Sequence, residues 1–189
     1  MTRIYFVRHA QPDESWKDDR TRPLTRTGME DCKKVTELLI KIPIDYFYSS
    51  PYKRSVDTIK ECADTLNMPV YTDERFRERQ AGENGYHIDM VKKRWANFDF
   101  CEKGGESLRS VQKRNIEALN ELLMKHRDKT IVIGTHGTAL SAILNFYNPD
   151  FNFNDFKRIW HWMPYIIRVD FEGTALVNKE ELLMIECGY

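Results

Sequence analysis

Near its N-terminus the chain reads Arg3-Ile4-Tyr5-Phe6-Val7-Arg8-His9-Ala10, a run of β-branched and aromatic residues that stops at an arginine and a histidine. A second apolar run, Thr130-Ile131-Val132-Ile133-Gly134-Thr135-His136-Gly137, also ends in a histidine. Charged groups inside a buried strand would each need a partner to offset their desolvation. An open α/β sheet, in contrast, binds ligands beyond the carboxyl ends of its strands. The two runs therefore predict a site for a small anion, with transfer of that anion to an imidazole.

Outward from these runs, strands alternate with helices, which is typical of an α/β fold. The pattern predicts a helix that starts after Thr25 and runs through about Ile42, a strand Ile44–Tyr48, a helix capped by Ser50 that runs to about Leu66, a strand Pro69–Thr72, a helix from about Ser107 to His126, a helix through Leu144, and a hairpin of Tyr165–Phe171 and Ala175–Val177. We expect a three-layer α/β/α sandwich with a mostly parallel central sheet and the hairpin added at its C-terminal edge. We expect one domain over residues 1–189, with a small cap-like insertion at about 80–103.

The composition excludes several classes of protein. Lys+Arg and Asp+Glu both number 29, and this zero net charge argues against a general nucleic-acid binder. No apolar run approaches membrane-spanning length, and the N-terminal residues lack the pattern of a signal peptide. The four cysteines are widely scattered, which favours reduced thiols over a zinc site. We therefore expect a cytoplasmic protein without membrane or nucleic-acid partners, and the oligomeric state stays open.

Two more charged residues follow other predicted strands. Arg54 lies one turn into the helix after the second strand, where both the strand end and the helix N-terminus favour anions. Glu78 lies just beyond the third strand. Successive loops at one sheet edge thus supply Arg8 with His9, Arg54, Glu78 and His136.

These residues fall in motifs that resemble the histidine phosphatase superfamily, also called the phosphoglycerate mutase-like family. Its R-H-G, L-T-x-x-G, S-S-P-x-x-R, L-x-E, G-G-E-S and V-x-H-G elements correspond to Arg8–Ala10, Leu24–Gly28, Ser49–Arg54, Phe76–Glu78, Gly104–Ser107 and Ile133–Gly137. All six elements occur in the expected order over about residues 3 to 140. The resemblance implies a phosphoglycerate mutase-like fold.

The resemblance also implies a mechanism through phosphohistidine. His9 would attack phosphorus, with its other ring nitrogen donating to a fixed acceptor. Glu78 would protonate the leaving oxygen and later activate water. The scheme needs no metal and no cofactor.

The remaining site residues would bind the phosphoryl group. Arg8 and Arg54 would grip its oxygens, because a planar guanidinium matches phosphate geometry. His136 would donate a further hydrogen bond, and the backbone N–H of Gly137 would add to the pocket.

Several roles stay open in the sequence. The acid could be carried instead by one of the nearby glutamates Glu74, Glu83 and Glu106. Contact with substrate is left open for the arginines Arg20, Arg22, Arg77 and Arg79. We expect Arg77 and Arg79 to point away from Glu78 or to contact substrate, since inward-pointing guanidiniums would favour its carboxylate form.

The preferred function is a phosphomonoesterase, a metal-independent histidine acid phosphatase-type enzyme acting on a small phosphorylated metabolite. The alternative is a 2,3-bisphosphoglycerate-dependent phosphoglycerate mutase. The phosphatase is favoured because the mutase-like branch carries a W-N pair after its first motif, whereas Trp16 is followed here by lysine. The insertion after Glu78 is also modest for an enzyme that must keep water from its intermediate. A phosphohistidine or phosphoprotein phosphatase and a non-catalytic phosphate-binding protein are the further alternatives.

Overall fold

The computed structural model describes residues 1–188, which form one six-stranded sheet and six α-helices. The elements in chain order are β1 (Thr2–Arg8), α1 (Arg26–Leu39), β2 (Tyr46–Ser49), α2 (Lys53–Thr65), β3 (Val70–Thr72), a 3₁₀ turn (Glu74–Phe76), α3 (Ile88–Ala96), α4 (Leu108–Lys125), β4 (Thr130–Thr135), α5 (Gly137–Tyr147), α6 (Phe153–Ile159), β5 (Trp162–Glu172) and β6 (Ala175–Glu186). Within residues 1–188, no helix is both long and apolar enough to cross a membrane.

The sheet has the strand order β3-β2-β4-β1-β5-β6. The first four of these strands are mutually parallel, whereas β5 pairs antiparallel with β1 and β6 pairs antiparallel with β5. The predicted edge hairpin is thus confirmed, with strands longer than expected. Arg8 lies opposite Thr135, and Ser49 lies opposite Gly134, so β1, β2 and β4 end level with one another.

Side chains of β1 alternate between two hydrophobic cores, as the two-residue period of a strand requires. Ile4 and Phe6 pack in a core with residues of α4, α5 and α6, whereas Tyr5 and Val7 pack with residues of α1 and α2. Helices therefore cover both faces of the sheet. The predicted three-layer α/β/α architecture is confirmed.

Two predicted helix starts have different outcomes. Thr25 caps α1 as predicted, because its hydroxyl accepts the backbone N–H of Gly28 at 3.0 Å. The predicted Ser50 cap of α2 is wrong, since α2 is preceded by Tyr52 and has no side-chain cap. The Ser50 hydroxyl instead accepts the N–H of Tyr52 and contacts His136. Ser50 therefore shapes the turn before the helix.

A buried ion cluster ties the segment over residues 80–103 to Arg79, which follows Glu78. Glu102 contacts Arg79 through one carboxylate oxygen and Arg94 through the other, each at 2.7 Å. All three side chains are almost fully buried. Since Arg94 belongs to α3, this cluster fixes that helix beside the carboxyl edge of the sheet.

Candidate active site

A cavity of about 420 Å³ lies beyond the carboxyl ends of β1 and β4. Its polar lining includes Arg8, His9, Arg54, Glu78, Gly137 and Thr138. Five of the six site residues predicted from the sequence therefore line one cavity. The sixth, His136, is fully buried and lies behind His9.

His9 is held in one orientation by the backbone. Its Nδ1 lies 2.8 Å from the carbonyl oxygen of Ala10. A carbonyl only accepts hydrogen bonds, so Nδ1 carries the proton and Nε2 carries the lone pair. Ala10 is itself fixed, because its N–H donates to the hydroxyl of Thr58 at 2.9 Å. This is the tautomer that the predicted nucleophile requires.

Arg8 is anchored by the segment that joins α6 to β5. Its Nη1 donates to the carbonyl oxygens of Ile159, Trp160 and Trp162 at 2.7, 2.9 and 3.3 Å. The guanidinium lies so close to Gly137 that a Cβ there would come within 3.0 Å of it. A side chain at position 137 would therefore require the anchored Arg8 guanidinium to shift, and the backbone of α5 begins directly against the cation.

Arg54 is buried beneath the loop that follows β1. Its Nη1 lies 3.1 Å from a carboxylate oxygen of Asp19, and its guanidinium lies 5.0 Å from the ring centroid of Tyr52. The ion pair and the aromatic face orient the cation without covering it, because Arg54 still lines the cavity.

His136 lies next to His9, with ring centroids 5.2 Å apart. Its Nε2 is 2.8 Å from the hydroxyl of Ser50, and its buried Nδ1 has no hydrogen-bond partner among residues 1–188. Donation from His136 to a phosphoryl oxygen stays a prediction, with Nδ1 as the nitrogen left to make it.

Glu78 is held by backbone N–H groups. One carboxylate oxygen accepts from Arg79 and Ala139 at 2.8 and 3.2 Å, and the other accepts from Thr138 at 3.1 Å. Two of these donors belong to the first turn of α5, where a helix favours negative charge. The carboxylate of Glu78 therefore lies directly beside the backbone segment that follows His136.

The competing glutamates are engaged elsewhere. Glu74 pairs with Arg20 on the surface, and Glu83 does not line the cavity. Burial would raise the pKa of Glu106, but the hydrogen bonds and charge of Arg114, with Arg77, outweigh it and lower that pKa to about 2. Glu106 is therefore ionised and acts as a structural partner, which leaves Glu78 as the acid candidate.

Two of the four arginines whose contact with substrate the sequence did not decide lie at the cavity. Arg22 and Arg79 line the cavity, whereas Arg20 and Arg77 do not. Arg22 pairs with Glu14 and Asp19, and Arg77 turns to Glu106.

The aromatic side of the cavity was not predicted from the sequence. Trp160, Trp95 and Phe156 all line the cavity. Phe156 and Trp160 are four residues apart, as are Val91 and Trp95, and such spacing places a pair on one helix face. That spacing is the signal that could have identified them.

We expect the protein to lose stability as the pH falls below 6.5. Burial, with the positive charge of Arg54 and other cations, lowers the pKa of both His9 and His136 well below 6.5. Below pH 6.5 the unfolded chain therefore binds protons that the folded chain does not, so the free energy of unfolding decreases by up to about 1.4 kcal/mol per pH unit for each histidine. Urea unfolding between pH 7.5 and 5.0 measures this, and His9→Asn should reduce the slope. A free energy that stays flat or rises over this range would contradict the burial of neutral histidines.

Among residues 1–188, no group of three or more histidine, cysteine, aspartate or glutamate side chains is arranged to hold a metal ion. The four cysteines carry free thiols. The polar groups that line the cavity include guanidiniums and an imidazole, which suit a phosphoryl group.

Known proteins resemble this chain over most of its length. A model of the histidine phosphatase superfamily (branch 1) matches residues 4–178. The chain is 28% identical over 158 residues to phosphoserine phosphatase 1 of Hydrogenobacter thermophilus, and the match covers 76% of this chain and 74% of that protein. It is 31% identical over 157 residues to a 2,3-bisphosphoglycerate-dependent phosphoglycerate mutase of Thermoplasma acidophilum, with 75% and 74% covered.

A solved structure supports the same fold. The phosphoserine phosphatase of Entamoeba histolytica, in complex with 3-phosphoglyceric acid, superposes with a TM-score of 0.77 at 23% identity. The superposition covers 94% of each chain. The predicted fold is confirmed.

Proposed function

Because the chain belongs to the histidine phosphatase superfamily, we propose that it hydrolyses a small phosphorylated metabolite through a phosphohistidine intermediate on His9. The family match and the phosphatases among its relatives support phosphatase activity. The observation that carries the proposal is the tautomer of His9. Its Nδ1 is hydrogen-bonded to the Ala10 carbonyl, so the lone pair of Nε2 is left to attack phosphorus, and His9 lines the same cavity as Arg8 and Arg54.

In the first step, Nε2 of His9 forms a bond to phosphorus while the bond from phosphorus to the leaving oxygen breaks. Arg8 and Arg54 bind the phosphoryl oxygens and stabilise the charge that develops on them. Glu78, which must carry a proton at this point, transfers it to the leaving oxygen. The products are a neutral alcohol, phosphohistidine and the Glu78 carboxylate.

In the second step, water attacks phosphorus and the bond to Nε2 breaks. The Glu78 carboxylate takes the proton from water and returns to its acid form. The enzyme is then in the same protonation state as before the first step. The hydrogen bond from Nδ1 to the Ala10 carbonyl keeps the imidazole in place through both steps.

The first test is phosphate release from a panel of phosphomonoesters, measured with and without excess EDTA. Isomerisation of 3-phosphoglycerate in the presence of bisphosphoglycerate is assayed in parallel. We expect release without isomerisation, unchanged by the chelator. The absence of both phosphate release and isomerisation would overturn the proposed function. A loss of activity in EDTA that one particular metal restores would overturn the metal-independent scheme.

A phosphoglycerate mutase is the second candidate, and the similarity to the Thermoplasma mutase favours it. Both reactions share the phosphohistidine step and differ in the acceptor of the phosphoryl group. Isomerisation without net phosphate release would establish the mutase and displace the phosphatase.

Glu78→Gln should impair hydrolysis according to the leaving group. An alkoxide needs a proton in order to leave, so kcat for an alkyl phosphate should decrease about 10²-fold or more. The p-nitrophenolate anion needs little protonation, so p-nitrophenyl phosphate should lose less than about tenfold. Steady-state rates on both substrates measure the difference, and Glu74→Gln, on the surface, is the matched control. Equal losses on the two substrates would assign the acid to another group.

A further inference from the structure

The catalytic cavity has an apolar side that the proposed chemistry does not use. We define the apolar wall as Val91, Trp95, Leu108, Phe156, Trp160 and Met163, all of which line the cavity. These residues come from α3, α4, α6, β5 and the turn between the last two. Four separate elements thus converge to present hydrocarbon and aromatic surface to whatever is attached to the phosphate.

The aromatic members of the wall are packed against one another. The rings of Trp95 and Phe156 stack with centroids 5.4 Å apart, and those of Phe156 and Trp160 lie 5.2 Å apart. Phe156 and Val91 also belong to the main hydrophobic core. The wall is therefore built into the fold before substrate binds, and a preformed apolar surface binds an apolar group without an ordering cost.

The other cations of the cavity are already paired with carboxylates. Beyond Arg8 and Arg54, the cations that line the cavity are Arg22, Arg79 and Arg94. Arg22 pairs with Glu14 and Asp19, and the other two share Glu102, which both of them contact at 2.7 Å. Each of these three guanidiniums therefore already contacts at least one carboxylate.

A charged leaving group would be poorly accommodated here. An ionised carboxylate placed against the apolar wall loses its water, and this cost is recovered only by a cation available for pairing. The arginines nearest to the wall already satisfy carboxylates and backbone carbonyls, since Arg94 also donates to the carbonyl of Gly85 at 2.7 Å. The carboxylates of Glu14 and Asp19 on the same cavity would repel a further anion.

We propose that the alcohol released from the natural substrate is uncharged and aromatic or bulky aliphatic, and that the apolar wall binds it. This inference rests on the proposed function, because it assumes that the phosphoryl group lies on Arg8, Arg54 and His9. It separates this protein's substrates from phosphate esters whose alcohol carries a carboxylate.

The test compares kcat/KM for three alkyl phosphates that make a similar demand for a proton: ethyl phosphate, 2-phenylethyl phosphate, and 2-phenylethyl phosphate with a carboxylate in the para position. Burial of the ring should raise kcat/KM at least about tenfold over ethyl phosphate, and the added carboxylate should lower it at least about tenfold again. Phosphoserine should be hydrolysed no better than ethyl phosphate.

Two outcomes would overturn the inference and are distinguishable. Hydrolysis in which ethyl and 2-phenylethyl phosphate are equivalent, or in which a carboxylate-bearing ester is the better substrate, would overturn the apolar class and leave the phosphatase intact. No hydrolysis of any ester would overturn both the proposed function and this inference.

A variant pair locates the effect at the wall. Trp95→Ala should reduce the preference for 2-phenylethyl over ethyl phosphate, taken as the ratio of their kcat/KM values, at least about fivefold. Trp16→Ala, which removes an exposed tryptophan outside the cavity, should leave the preference unchanged. If Trp95→Ala and Trp16→Ala show the same preference for 2-phenylethyl over ethyl phosphate, the phenyl ring does not bind at the apolar wall. If Trp95→Ala does not fold, the wild-type substrate series alone decides.

Discussion

His9→Ala should reduce kcat by at least about 10⁴-fold, because the variant has no nitrogen to receive the phosphoryl group. The remaining cations can still bind and polarise the ester, so residual binding of substrate is expected. Phosphate release in the steady state measures the loss. Quenching the wild-type enzyme during turnover should trap an acid-labile phosphoryl group on His9, and the variant should carry none.

The exposed His161 offers a matched control: it lies within the segment whose carbonyls anchor Arg8, but its own side chain faces solvent. His161→Ala should retain at least about half of the wild-type rate, as surface substitutions usually do little. Thermal unfolding of both variants checks that they remain folded. If His9→Ala keeps more than a tenth of the wild-type kcat, another group is the nucleophile.

Arg54→Ala should reduce kcat/KM by about 10³-fold, the second large effect. The substitution removes a buried guanidinium that binds phosphoryl oxygens, and it leaves the Asp19 carboxylate with one cation fewer beside the cavity. Repulsion from that carboxylate then adds to the lost attraction. Inhibition by inorganic phosphate should weaken in parallel. Lysine should not restore the activity, because an ammonium lacks the planar fork that matches phosphate.

Arg20 is the appropriate comparison for Arg54. Both guanidiniums lie over the ring of Tyr52, at 5.2 and 5.0 Å from its centroid, but Arg20 is exposed and pairs with Glu74. Arg20→Ala should therefore change kcat/KM less than about twofold. Similar losses in the two variants would mean that the effect of Arg54 comes from supporting Tyr52 and not from binding phosphate.

The sheet edge could be predicted from the sequence because the relevant signals are local. Each of the two apolar runs ends in a histidine, His9 or His136. The carboxyl ends of parallel strands lie at the same edge of a sheet, so this placement does not depend on the register of the strands. No local pattern in the sequence shows that β1 and β4 are neighbours in the sheet. The structure shows it, because Arg8 lies opposite Thr135. The ends of the second and third predicted strands place Arg54 and Glu78 at the same edge, and the motif order of the family agrees with that placement.

The spacing of Phe156 and Trp160 indicates a helix face, but that this face lines the cavity depends on tertiary packing, which a local pattern does not contain. Helix α6 is short, with Phe153 and Phe156 three positions apart and Trp160 directly after its end. Its start is fixed by Asn152 and Asp155, a capping box that is recognisable once the helix is seen. The anchoring of Arg8 uses backbone carbonyls, and any residue type can supply those. Such contacts leave no mark in a sequence.

The anchoring of Arg8 also sets the order in which the protein becomes competent during its synthesis. β1 is made early, yet its two sheet neighbours begin at Thr130 and Trp162, and the carbonyls that grip Arg8 follow Phe156. Chains emerge from the ribosome N-terminus first, and contacts distant in sequence form late. A nascent chain that already displays His9 and Arg54 therefore has no assembled anion site. We therefore expect chains that stop before α6 and β5 to lack the proposed phosphatase activity.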